Sequence, residues 1–228
     1  LERFIVRGTG ELKGSVRVSG SKNAALPILC ATILCGEEIV LEDVPELKDV
    51  EILCDVLRGL GVKVEHKDKN LYVINAENIT NTVTGEELMS KMRASFCVMG
   101  PLLSRMGHTG NALPGGCAIG TRPIDLHIKG FKALGAEVSI SKGMVNASAE
   151  KLIGDDIYLD FPSVGATQNI MMAAVLAEGE TTIENAAMEP EVVDLSNFLN
   201  KMGAEVRGAG TSTIKIRGVK KPNHSGQN

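Results

Sequence analysis

The chain has 228 residues, of which 43% are hydrophobic and 23% charged, and its formal net charge is −4. Its 24 Lys and Arg are spread among 28 Asp and Glu, which leaves no clustered cationic face for a nucleic-acid backbone, and no apolar run nears the roughly 20 residues that span a bilayer. This length supports one large or two small globular domains with a buried core, built from aliphatics, Ala and Met because aromatics make up only 3% and Trp is absent.

In chain order, LERFIVRGTG mixes charges with its first apolar residues and has no signal-peptide hydrophobic region. Residues 1–20 read as one or two strands, FIVRG and SVRVSG. At Ser19-Gly20-Ser21-Lys22-Asn23 the pattern turns from strand to helix. Backbone N–H groups at such a junction favour anions, and Lys22 adds a point charge. An ordinary cap by Ser21 or Asn23 explains the same residues. The helix NAALPILCATIL comes next, then a Gly-Glu turn into the strand Gly36-Glu37-Glu38-Ile39-Val40-Leu41. The amphipathic run DVEILCDVLRG ends in Leu60-Gly61-Val62-Lys63-Val64.

A second unit opens at Met92-Arg93-Ala94-Ser95 with the helix RASFCVMGPLLS, which makes Arg93 an anion candidate. Next comes Leu113-Pro114-Gly115-Gly116-Cys117-Ala118-Ile119-Gly120-Thr121-Arg122-Pro123. Its glycines and prolines exclude a regular helix or strand, and such loops are where binding groups concentrate. Flanked by Arg122, the Cys117 thiol can ionise below the usual value of about 8.5 and act as acid or nucleophile. A small residue tucked under a turn is the plain alternative. The chain has five cysteines, with no CxxC pair and no neighbouring His, which argues against a zinc site or a disulfide framework and fits a reducing cytoplasm. Cys30, Cys35, Cys54 and Cys97 lie in apolar helical context and read as core, which makes Cys117 the one accessible thiol. Asp125 falls in the first turn of the helix PIDLHIKGFKA, where a carboxylate suits the dipole. His127 reads as a surface residue.

The third unit starts after Pro162 with Ser163-Val164-Gly165-Ala166-Thr167. A helix start of small residues can receive a diphosphate or simply pack closely. GATQNIMMAAVLA, the strand Gly179-Glu180-Thr181-Thr182-Ile183 and the amphipathic run VVDLSNFLNK complete the unit. The tail KKPNHSGQN is polar and reads as disordered.

The order helix, strand, helix, strand, strand thus occurs three times, in repeats of about 21–90, 91–160 and 161–219, with residues 220–228 as a polar tail. Each second helix ends in a matching cassette: Leu60-Gly61-Val62, Leu134-Gly135-Ala136 and Met202-Gly203-Ala204. Gly is favoured just past a helix because it takes the left-handed conformation without a Cβ clash. The expected architecture is mixed α/β with pseudo-threefold symmetry, the Ala- and Met-rich helices packed in the middle. Helix starts bearing Lys22, Arg93 and Ser163 would then converge on one end, which favours an anionic, phosphorylated ligand.

Taken together, SGSKNAALPIL, MRAS, LPGGCAIGTRPIDLHI, SVGAT and ENAAMEPEVVD resemble the UDP-N-acetylglucosamine enolpyruvyl transferases, in order across residues 3–219. The resemblance implies an inside-out α/β barrel fold of two similar domains, each of three repeats, closing over the substrates. Residues 21–219 would be one such domain, and residues 1–20 would pair with the other. It implies transfer of the enolpyruvyl group of phosphoenolpyruvate to the 3-hydroxyl of UDP-N-acetylglucosamine, the first committed step of peptidoglycan synthesis, on which cell shape and division depend. No metal or organic cofactor is implied. By the same resemblance Cys117 is the general acid toward phosphoenolpyruvate and can bond to it, while Lys22 and Arg122 hold that substrate. Asn23 contacts the amino sugar and Arg93 an anion on the nucleotide side. Arg122, Pro123, Ile124, Asp125 and Leu126 form the uracil-side wall, and Ser163, Val164 and Gly165 contact the diphosphate. A proton donor at the methylene carbon and cations on the phosphate are what addition to an enol ether requires.

Relatives in that family are about twice this length, a second domain by usual sizes. The chain is therefore expected to be an N-terminal half, inactive without the C-terminal domain that supplies the general base and further arginines. Phe161 stands where some relatives have lysine, which weakens any expectation of a cation there. Three alternatives remain: a non-catalytic nucleotide-sugar-binding fragment, a shikimate-pathway enolpyruvyl transferase, and an RNA-phosphate cyclase-like relative. The Cys117 loop and RPIDLHI, in place of a GDKS-type start, speak against the second. The absence of a nucleotidylation histidine motif speaks against the third.

Overall fold

The computed structural model describes residues 3–8, 10–84, 93–113 and 124–220. Unit one comprises α1 (Lys22–Ala31), β1 (Glu38–Leu41), α2 (Lys48–Gly59), β2 (Lys63–Asp68) and β3 (Leu71–Asn75). Unit two comprises β4 (Val83–Thr84), a 3-10 segment (Arg93–Val98), α3 (Met99–Met106), β5 (His108–Ala112), α4 (Asp125–Ala133), β6 (Glu137–Ser141) and β7 (Met144–Ser148). Unit three comprises β8 (Asp156–Tyr158), α5 (Val164–Ala174), β9 (Glu180–Glu184), α6 (Pro190–Lys201), β10 (Glu205–Arg207) and β11 (Thr213–Arg217).

Local chemistry explains why the three units repeat. Gly61, Gly135 and Gly203 have φ of +95°, +90° and +89°. Their N–H groups return to the carbonyls of Arg58, Lys132 and Asn200, and the next N–H reaches back to Leu57, Phe131 and Leu199. That paired closure is the Schellman motif, which satisfies the last carbonyls of a helix and turns the chain into a strand. The strand then pairs with its hairpin partner by alternation. In β11, Ile214 and Ile216 are buried while Thr213, Lys215 and Arg217 are exposed, which is the period-two pattern of a one-sided sheet.

The sheets run β1-β3-β2, β4-β5-β7-β6 and β10-β11-β9-β8. In each, the hairpin and the strand after the first helix are antiparallel. In units two and three a further strand from before the first helix joins in parallel, β4 on β5 and β8 on β9. Unit one has only three strands among the described residues. Residues 3–8 and 10–20 join no ladder, and Phe4, Ile5, Val6, Val16 and Val18 are exposed. The strands expected over FIVRG and SVRVSG are thus not formed, because alternation alone makes no strand without an edge to bond to. The segment is tied by an ion pair between Arg17 and Asp43 at 2.9 Å, an exposed contact of the kind worth about 0–1 kcal/mol.

The helices meet in the middle. In α5 every residue from Ala166 to Ala174 is buried, as a helix without a polar face requires. Two glycines let its neighbours approach. A Cβ on Gly100 of α3 would sit 2.5 Å from Asn169 Oδ1 and overlap the Asn169 carbonyl oxygen, and a Cβ on Gly130 of α4 would overlap Ile170. Helix α1 packs against α2 and α6. Arg105 ties unit two to unit one by donating to the carbonyls of Ile33 at 2.6 Å, Cys35 at 3.3 Å and Glu77 at 3.4 Å. The run expected as one helix from Arg93 begins instead as 3-10. Pro101 lies in the first turn of α3 and cannot donate to Cys97, so a regular α-helix cannot extend further back. The polar tail from residue 221 lies outside the described residues. No described helix is long and apolar enough to cross a membrane.

Cys30, Cys35 and Cys54 are buried as expected, but Cys97 is only partly so and packs on the margin of the core. Burial, then the neighbouring Cys97, push the Cys30 thiol up. Burial likewise raises Cys54 from 9.0 to about 11, against the opposing pull of Arg58.

This packing has two measurable outcomes. Gly100→Ala gains helix propensity but drives a methyl into backbone that cannot yield, so urea unfolding should show a loss of about 1–3 kcal/mol with unchanged m. The buried thiols also set a sign at alkaline pH. Below the unfolded value both states keep the Cys54 proton and the stability is fully present. Above it the unfolded chain ionises while the folded one does not, so stability falls as pH rises from 9.0 to about 11, by linkage. Cys54→Ala should make that decline measurably shallower in urea titrations across the window.

Candidate functional site

Helix α5 begins at Ser163, whose extended backbone (φ −110°, ψ 116°) lets its hydroxyl accept from the Ala166 N–H at 3.4 Å. The N–H of Thr167 reaches the Ser163 carbonyl at 2.9 Å. Val164 and Gly165, the first helical residues, carry N–H groups with no acceptor inside the helix, and the dipole there favours negative charge. Ser163, Val164 and Gly165 are all half-buried. Such a rim can take an anion through backbone alone.

Beside it stands the first turn of α4. Asp125 is exposed, whereas Ile124, Leu126 and His127 are buried. The imidazole of His127 lies against the start of α5: a Cβ on Gly165 would come 3.5 Å from its Cε1 and 3.6 Å from its Nε2. Its Nδ1 faces Asn169 Nδ2 at 3.0 Å. The Phe96 ring meets it edge-on, with centroids 5.1 Å apart and planes at 85°. His127 is thus not a surface residue. Its helix carries Leu126, His127, Gly130 and Phe131 on the buried face, so the helical period turns it inward toward α5. Ile124 and Leu126 sit within the core, which leaves Asp125 as the solvent-facing side chain of this turn.

The other candidates lie on unit one. Ser21 caps α1 as Ser163 caps α5, accepting from the Ala24 N–H at 3.4 Å. Lys22 comes next and bonds Asp49 in the first turn of α2 at 2.9 Å. A cation at a helix N-terminus opposes the dipole, and the carboxylate offsets this. Both partners are about half exposed, 45% and 39%, so the pair is weak and an incoming anion can take the place of Asp49. Asn23 is exposed on the same turn. Arg93 opens the 3-10 segment, and its side chain lies outside the described residues, as do Cys117, Arg122 and Pro123. The structure therefore brings together His127 and Ser163–Gly165, while Lys22 is held with Asp49 on unit one. No group of three or more His, Cys, Asp or Glu that could hold a metal occurs among the described residues.

Sequence reasoning alone misses Asn169 and Asp49. A signal for the first is present: Thr167-Gln168-Asn169 is a polar run inside a helix otherwise made of Val, Gly, Ala, Ile and Met. Nothing local marks Asp49, which reads as an ordinary first-turn carboxylate.

Comparison with known proteins agrees with the fold and sharpens the family. A UDP-N-acetylglucosamine 1-carboxyvinyltransferase of Finegoldia magna is 62% identical over 97% of this chain and 52% of its own length. The protein named UDP-N-acetylglucosamine 1-carboxyvinyltransferase 1 in Caldanaerobacter subterraneus is 55% identical over 96% of this chain and 52% of its own. The chain thus spans about half the length of the curated relatives it matches. Among solved structures, the enolpyruvyl transferase NikO from Streptomyces tendae matches with a TM-score of 0.80 at 21% identity, over 95% of this chain and 51% of that one. EPSP synthase from Acinetobacter baumannii matches with 0.70 at 20% identity, over 92% and 48%. At that identity these two show a shared fold, the enolpyruvyl transferase fold that the resemblance implies. The family match itself runs over residues 6–227, so the chain belongs to the EPSP synthase (3-phosphoshikimate 1-carboxyvinyltransferase) family.

Proposed function

We propose that these residues form the N-terminal half of an enzyme that transfers the enolpyruvyl group of phosphoenolpyruvate to the 3-hydroxyl of UDP-N-acetylglucosamine. One observation carries the reading. Relatives bearing that activity in their names are 53–62% identical over nearly the whole chain, whereas the solved EPSP synthase is 20% identical. In a bacterial cell this reaction serves peptidoglycan synthesis in the cytoplasm, and through it cell shape and division.

In this reading the backbone of Ser163, Val164 and Gly165 receives the diphosphate, and Arg93 adds charge on the nucleotide side. Arg122, Pro123, Ile124, Asp125 and Leu126 border the uracil, with Asp125 offering the accessible carboxylate. Lys22, released from Asp49, and Arg122 hold phosphoenolpyruvate, while Asn23 contacts the amino sugar. Cys117 protonates the methylene carbon as the sugar oxygen bonds to C2. Loss of a proton from the resulting methyl and of phosphate from C2 regenerates the double bond. The base for the sugar hydroxyl comes from a C-terminal domain, with which residues 1–20 pair. The exposed apolar side chains of Phe4, Ile5, Val6, Leu12, Val16 and Val18 support that assignment.

A two-domain polypeptide carrying these residues should release phosphate from phosphoenolpyruvate with UDP-N-acetylglucosamine and not with shikimate 3-phosphate. Cys117→Ala should abolish or severely reduce that release, and residues 1–228 by themselves should show none. Release with shikimate 3-phosphate instead would refute the assignment.

A second outcome concerns Gly165. A methyl there makes only ordinary contact with His127, so Gly165→Ala should fold with stability unchanged or raised by up to about 1 kcal/mol. It should nonetheless raise the KM for UDP-N-acetylglucosamine about tenfold, equivalent to ~1.4 kcal/mol, because the methyl occupies the approach to the α5 amides. An unchanged KM would remove the diphosphate from this helix start.

A further inference from the structure

Units one and three hold their two helices together by different means. Ser163, Gly203 and α6 (Pro190–Lys201) each stand 142 residues after Ser21, Gly61 and α2 (Lys48–Gly59), so the two units match position by position. In unit three the polar ties are inside. The buried Thr167 hydroxyl accepts from the Ala187 N–H at 3.1 Å, and Gln168 Nε2 donates to the Glu191 carbonyl at 3.4 Å. Both bonds join α5 to the approach and first turn of α6. The matching positions in unit one are Ala25 and Leu26, whose side chains carry no polar atom. There the first turn of α1 is tied to that of α2 by the half-exposed pair of Lys22 and Asp49, at 2.9 Å.

The two partners differ in how well they stand alone. Asp49 lies in the first turn of α2, whose cap residue Leu47 makes no side-chain bond to the helix. A carboxylate is favoured by that helix end whether or not Lys22 touches it. Lys22 opens α1, which has no acidic residue in its own first turn. The positive helix end repels its ammonium group, and an anion that arrives there gains from both. Asp49 and such an anion therefore compete for one cation.

We propose that Asp49 is a positioning residue that parks Lys22 between turnovers. The phosphate of phosphoenolpyruvate takes Lys22 from Asp49 on binding, and Asp49 takes it back as inorganic phosphate leaves. The identity of the anion rests on the function proposed above, whereas the exchange rests on the pair itself. The carboxylate thus works against affinity and in favour of release. A residue that only oriented Lys22 toward the ligand would act in the opposite sense.

The experiment is side-chain NMR of the ¹³C-lysine-labelled chain titrated with inorganic phosphate, the Lys22 signals being assigned by their loss in Lys22→Gln. Asp49→Asn removes both the bond and a like charge beside the anion, so the midpoint should fall about three- to tenfold. Asp49→Glu restores a carboxylate and should bring the midpoint back to within about twofold of the unsubstituted value. Glu51→Gln takes the same charge from the same turn of α2 and leaves the Lys22–Asp49 bond in place. It should move the midpoint by less than about twofold. In the two-domain enzyme Asp49→Asn should lower the KM for phosphoenolpyruvate and the inhibition constant of phosphate alike, with kcat unchanged or reduced.

An unchanged or raised midpoint in Asp49→Asn would overturn the proposal. So would an equal fall in Glu51→Gln, which would trace the effect to net charge, or Lys22 signals that ignore phosphate in every variant. A lowered midpoint with an unmoved KM would overturn the ligand named here while the exchange at Lys22 stood, which tells the two failures apart.

Discussion

Helix α5 has no face to turn to water, and most of the molecule is arranged around that fact. From Ala166 to Ala174 all its residues are buried, so every backbone approach to it must be close and every polar atom on it must find a partner. The first demand is met by Gly100 and Gly130, where any larger residue would meet Asn169 or Ile170. The second is met by Thr167, Gln168 and Asn169 bonding outward to α6, α3 and α4. A buried amide with three satisfied bonds holds its neighbours in one geometry, since each alternative leaves a donor or acceptor unpaired in a medium where that costs about 1–3 kcal/mol.

The exposed consequence of this rigid centre is the helix start. Units one and three begin their first helices alike, with a serine hydroxyl 3.4 Å from the N–H three residues on. The residues after the serine differ. Lys22 in unit one places a long-armed cation at the rim and is balanced by Asp49. Val164 and Gly165 in unit three carry no charge, and their main-chain N–H groups have no acceptor within the helix. One backbone device repeated around a pseudo-threefold centre thus presents a side-chain cation at one position and fixed backbone donors at another. In the function proposed above, the two would suit different parts of a phosphorylated ligand, because a lysine can track a group that moves or leaves while backbone amides hold one that stays.

The repeat also shows in features without chemistry of their own. Asp43, two residues beyond β1, and Asn185, one residue beyond β9, both adopt φ of +55°, a conformation that Asn and Asp tolerate better than other side chains. Each lies where the chain leaves a strand for the second helix of its unit. Unit two has the catalytic candidate Cys117 in the corresponding stretch. A scaffold made three times from the same turns can lengthen one connection into a functional loop while the other two keep the fold.

Much of the architecture was legible in the chain because it depends on neighbours a few residues apart. The Schellman glycines at 61, 135 and 203 close bonds spanning six residues, the serine caps span four, and the strand faces alternate by two. The likeness to enolpyruvyl transferases was legible for the same reason, being carried by contiguous motifs. The functional candidates at helix starts could be named from sequence, but their surroundings could not. That His127 is buried rather than exposed, that Asn169 holds it, that Lys22 bonds Asp49 and that residues 10–20 run unpaired are all decided by contacts between segments distant in the chain. Asn169 lies 69 residues from Gly100 and 42 from His127, and Lys22 lies 27 from Asp49. Composition and periodicity determine which face of an element is apolar. Only the packed helices decide which polar atom on a neighbouring face comes within about 3 Å, because that distance is set by the glycines that let the backbones approach.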